Sequence, residues 1–106
     1  MKAALVLLLA CGAAQAEFLS GNDLLSRIES DSIYLQGMAM GYIVGSTDAT
    51  YRVWHCTPST ATAGQVQDVV RKYLRENPSV RHFSADSNVA VALSLVWPCP
   101  KKGGGT

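Results

Sequence analysis

The 106-residue chain carries nine basic and eight acidic residues, with 48% hydrophobic and 8% aromatic residues. No basic stripe marks a nucleic-acid surface, and the longest uncharged apolar run, residues 32–47, falls short of the ~20 residues a membrane span needs. Charge is split along the chain after the first sixteen residues: over residues 17–50, Glu17, Asp23, Glu29, Asp31 and Asp48 face only Arg27. Five basic residues then outweigh Asp68, Glu76 and Asp86 up to residue 100, a polarity that either steers a charged partner or is the solvated outside of helices.

Taken in chain order, Met1-Lys2, the apolar residues 3–10 and the small-x-small site Ala14-Gln15-Ala16 read as a signal peptide over residues 1–16. A second reading takes Leu8-Leu9-Ala10-Cys11 as a lipoprotein box with Cys11 as the anchored residue. Both send the chain out of the cytoplasm, to a bacterial periplasm. A first helix, capped by Ser20 or Asn22, carries Leu24, Leu25 and Ile28. A second runs from Asp31 to Ala49 and sets Gly37, Gly41 and Gly45 on one face. Each helical glycine costs about 1 kcal/mol against alanine. Three in register therefore predict a closely packed helix, first one from the same chain and second one from a dimer partner.

Residues 46–61 form the one long irregular segment, with Tyr51, Arg52, Trp54 and His55 close together. Val53, Trp54 and Tyr51 are read as a small cluster over a disulfide rather than as a ligand pocket. Thr62 and Gln65 make a capping box opening a third helix with Val66, Val69, Val70, Tyr73 and Leu74 at helical spacing, which Asn77-Pro78 ends. A fourth, from about Ser84, carries Ala85, Val89, Ala92, Leu93 and Val96 inward and stops at Trp97-Pro98. Residues 101–106 read as a disordered Gly-rich tail. The fold class is all-α, a small bundle of about four helices stapled by one disulfide.

Removal of Cys11 with the leader leaves Cys56 and Cys99, which pair in an oxidising compartment. That pairing argues against Cys56 as a nucleophile with His55 or His82 as its base. The absence of paired ligand spacing argues against a zinc site from the same four residues. No catalytic residue, cofactor or metal is assigned.

The ordered strings "GNDLL" from Gly21, "GYIVGSTDA" at 41–49, "CTP" at 56–58, "TAGQVQDVVRKYLRENP" at 62–78, "RHFSAD" at 81–86 and "WPC" closing at Cys99 resemble the Rap/Tai family. Its members are small periplasmic immunity proteins that neutralise peptidoglycan amidase effectors of type VI secretion. The resemblance spans residues 17–100 and implies an all-helical fold, a tendency to form a homodimer, and inhibition by plugging or covering an amidase without catalysis. Many members carry a further cysteine pair where this chain has Ile28 and Ala39, an apolar contact in place of a bridge. Tyr51, Arg52, Trp54 and His55 are the candidate partner-binding residues, preorganised by Cys56. Two other classes fit the same composition: a periplasmic acid-stress chaperone and a structural subunit of the envelope.

Overall fold

Three of the four helices described here begin where a short polar side chain satisfies free backbone donors. The computed structural model describes residues 18–101. The expected signal peptide, the alternative anchor at Cys11 and the expected tail beyond Lys101 lie outside the described residues. Helix α1, Gly21–Ile28, is capped by Ser20, whose Oγ accepts from the Asp23 amide at 3.1 Å while Asp23 Oδ2 accepts from the Ser20 amide at 3.2 Å. The backbone bond from Ser20, with the hydroxyl bond second, holds the Asp23 carboxyl below the usual carboxylate range.

Helix α2, Ile33–Thr50, starts two residues later than the sequence predicts, because Ser32 caps it through the Leu35 amide at 3.3 Å. Helix α3, Ala63–Glu76, has the expected reciprocal box: Gln65 N to Thr62 Oγ1 at 3.1 Å and Thr62 N to Gln65 Oε1 at 2.8 Å. A 3-10 turn, Pro78–Val80, leads to α4, Ala85–Val96. The Ser84 hydroxyl at its start does not cap but donates to Ser87 Oγ at 2.9 Å.

Every helix packs on the other three. Leu24 of α1, Ile43 of α2, Val70 and Leu74 of α3, and Val89 and Leu93 of α4 are fully buried at the centre. Val69 and Tyr73 are only half-buried at the margin, and Val96 is exposed on the last turn of α4. Ile28 and Ala39 both join the core, on the contacting helices α1 and α2. The disulfide joins Cys56 to Cys99, with Cα atoms 4.8 Å apart, and the Cys56 amide donates to the Trp97 carbonyl at 2.8 Å. Closing 43 residues is worth about 4 kcal/mol in the chain-entropy model. No helix among the described residues is long and apolar enough to cross a membrane.

The glycine stripe departs from its first reading. A Cβ on Gly37, Gly41 or Gly45 would meet nothing within 4 Å, so among the described residues no helix packs there. Only Ala39 and Ile43 of α2 are buried. At 100° per residue, the glycines two positions on lie roughly 200° around the helix, facing outward. Ile33, Tyr34, Met38 and Val44 are exposed as well, which makes α2 apolar on more than its core face.

The close glycine is Gly21. A Cβ there would sit 2.9 Å from the Arg81 carbonyl oxygen, 2.9 Å from Asn88 Nδ2 and 3.0 Å from Leu74 Cδ2. The Gly21 and Asn22 amides donate to the Phe83 and Arg81 carbonyls at 2.9 and 2.8 Å, and the Ala85 amide donates to Leu19 at 2.8 Å. Buried Asn88 donates through Nδ2 to the Val80 and Ser84 carbonyls at 3.1 and 3.0 Å, tying the turn before α4 to that joint.

Candidate functional site

The helix α2 ends in a tight reversal built on one carbonyl. Thr50 O accepts from the Val53 amide at 3.1 Å and the Trp54 amide at 2.9 Å, and the Arg52 amide donates to His55 O at 2.7 Å. The turn places Arg52 at φ 67°, the left-handed region that non-glycine residues rarely occupy. Backbone in such a region persists only where its surroundings over-determine it.

His55 supplies that constraint. It is fully buried, and Nδ1 accepts from the Thr57 amide at 3.3 Å and lies 2.8 Å from Thr57 Oγ1. On the other side of the ring, Nε2 lies 3.0 Å from both Thr47 O and Thr50 Oγ1. An amide donor at Nδ1 requires a lone pair there, and a carbonyl at Nε2 requires a proton. These partners fit the tautomer with its proton on Nε2. Thr50 Oγ1 gives its own proton to Ser46 O at 2.7 Å, which leaves its oxygen free to accept. Cys56 follows directly and is locked to Cys99.

Of the four residues expected to contact a partner, three are outside and one is not. Tyr51, Arg52 and Trp54 are exposed, Trp54 at 61%, with Val53 beside them at 72%. The Arg52 guanidinium carbon lies 5.5 Å from the centroid of the Tyr51 ring, a cation–π pair that orients both side chains. His55 is withdrawn from contact: its nitrogens are consumed by the threonine cage, so its role is to hold the loop from inside.

Cys56 is oxidised, and His82 stands on the separate turn before α4 against the Phe83 ring at 4.1 Å. Among the described residues no group of three or more His, Cys, Asp or Glu is placed to hold a metal.

Beside the loop lies a pocket of about 340 Å³ between the end of α2, the segment 57–61 and the start of α3. Val66 and Thr57, both buried, make its floor; Val44, Asp48, Tyr51 and Pro58, all exposed, stand at its rim. Tyr51 thus belongs both to the loop and to the pocket. Sequence reasoning missed Asp48 and the cage of Thr47, Thr50 and Thr57. The signal available for Asp48 was its isolation, as the one charge between Asp31 and Arg52.

Residues 20–99 match the family model described as Rap1a immunity proteins. No curated protein matches the chain.

Proposed function

The chain belongs to the Rap1a immunity protein family, and from that premise we propose that it acts in the periplasm, binding a peptidoglycan amidase effector of type VI secretion and blocking its active site. An immunity protein works by occupying its effector, so the chemistry required of this chain is recognition. One observation carries the assignment of the contact surface: an exposed loop of Tyr51, Arg52 and Trp54 stands on a base fixed by buried His55, by the Cys56–Cys99 bond and by the doubly used Thr50 carbonyl.

Aromatic and arginine side chains dominate the energetics of protein interfaces. A loop already held in one shape gives up less entropy on association. The periplasm suits both the reading of residues 1–16 as a signal peptide and a structural disulfide, which persists where thiols are oxidised. Export also brings the inhibitor to the compartment where an amidase meets the cell wall.

The test expresses a type VI peptidoglycan amidase effector, sought first among the genes beside this one, in the periplasm, alone, with this protein, and with Arg52→Ala or Trp54→Ala. The unmutated protein prevents lysis. Each variant weakens the isolated complex by about 2 kcal/mol, roughly 30-fold in Kd, while retaining the parent's thermal midpoint. Lysis that the unmutated protein does not prevent rejects that amidase as the target. Full affinity in both variants moves the contact surface away from the loop.

A further inference from the structure

We propose that the pocket beside the loop receives a basic side chain of the bound effector, a lysine or arginine whose charge is read by Asp48. This rests on the reading of the chain as an effector-binding immunity protein. The lining combines the apolar Val44, Pro58 and Val66 with the threonine at residue 57 and the Tyr51 ring, and Asp48 is its one formally charged residue. Among the described residues the two ion pairs are Arg71–Asp68 and Arg75–Glu29, and Asp48 is in neither.

The position of this carboxylate is unfavourable for the fold. Asp48 stands in the last turn of α2, where the partial negative charge of the helix end repels an anion, and no basic residue shares that turn. It therefore works against the helix end, and among the described residues no ion pair offsets its charge. An apolar occupant would strip water from the carboxylate without replacing it, which costs binding energy. A long basic side chain meets both requirements: its methylene stem lies along apolar walls while the head stays at the rim beside the acid. Tyr51 joins the pocket to the loop, so Arg52 and Asp48 offer the effector a positive and a negative contact on one rigid element.

Two measurements separate this inference from the function it rests on. In the first, isotope-labelled protein is titrated with Nα-acetyl-lysine amide and with Nα-acetyl-norleucine amide, which keeps most of the stem and lacks the ammonium group. The lysine compound shifts the amides of Asp48, Ala61 and Ala63, the norleucine compound leaves them in place, and Asp48→Asn abolishes the response. Equal responses to both compounds, or none at millimolar concentration, overturn the proposal.

In the second, binding of the amidase effector from which the unmutated protein protects the cell weakens about 10-fold with Asp48→Asn and further with Asp48→Lys. Unchanged affinity in both overturns the assignment of an effector side chain to the pocket while leaving the immunity function standing. A change confined to self-association overturns it in favour of a second copy as the occupant. Failure of the unmutated protein to bind that amidase removes the function this inference rests on, whereas the lysine titration still reports on the pocket.

Discussion

Gly21 and Gly41 are both helical glycines, and their surroundings are opposite. A Cβ added at Gly21 would meet a carbonyl oxygen, an amide nitrogen and a leucine methyl at 2.9 to 3.0 Å, whereas one added at Gly41 would meet nothing within 4 Å. The isolated glycine makes the close approach on which the bundle depends. The periodic glycines lie on a face that the described residues leave open. Regular spacing reports that small residues share a helix face, not that anything packs on it. Close approach at Gly21 instead follows from backbone pairing, since Gly21 N, Asn22 N and Ala85 N join the start of α1 to the turn before α4.

The largest effect that tests this contrast is Gly21→Ala. Two of the three neighbours are poorly able to retreat: the Arg81 carbonyl already accepts from the Asn22 amide, and Asn88 Nδ2 is held by two carbonyls within 3.1 Å. We expect a loss of about 3 kcal/mol, at the upper end of ordinary overpacking. For a domain of this size that lowers the melting temperature by more than about 10 °C. A thermal melt of the oxidised protein reads it directly. A midpoint within a degree or two of the parent shows that α1 can shift away, and then Gly21 is not a tight joint.

A smaller loss is expected for Asn88→Ala, about 1 to 2 kcal/mol, because the buried amide that bridges the Val80 and Ser84 carbonyls is removed. The pair is more informative than either variant. Removing Asn88 Nδ2 frees one of the two 2.9 Å approaches at Gly21, so the double variant should lose less than the sum of the singles by about 0.5 kcal/mol or more. Strict additivity in chemical denaturation locates the strain at the Arg81 carbonyl alone.

Legibility in the sequence followed the range of the forces involved. Capping boxes and i, i+4 apolar rows are local, and so α3 was readable to the residue from Thr62, Gln65, Val66, Val70 and Leu74. The disulfide was readable because two cysteines remain after the expected leader. The burial of His55 was not readable. It depends on Thr47 and Thr50 at the end of α2 and on Thr57 beyond the turn coming together around one ring, and no period in the chain announces that. Tyr51, Arg52 and Trp54 were recognisable as unusual neighbours, but their exposure follows from the left-handed turn at Arg52. The pocket rim at Asp48 and Pro58 likewise needs the path of the chain from α2 to α3.

The smallest expected effect has the opposite sign and bears on the open face. Gly41→Ala adds a methyl where no atom lies within 4 Å and replaces a residue that costs helix about 1 kcal/mol relative to alanine. Part of that gain comes from the unfolded chain, which has fewer conformations to lose once the glycine is gone. The isolated monomer should therefore gain about 0.5 to 1 kcal/mol, read as a higher denaturant midpoint with an unchanged slope. Gly37→Ala and Gly45→Ala should behave alike, because neither added Cβ meets a neighbour either. A lowered midpoint that falls further at high protein concentration would mean the stripe is covered in solution by a second molecule. The glycines would then be close-approach residues after all, with their partner outside the chain, and the contrast with Gly21 would be one of which molecule supplies the wall.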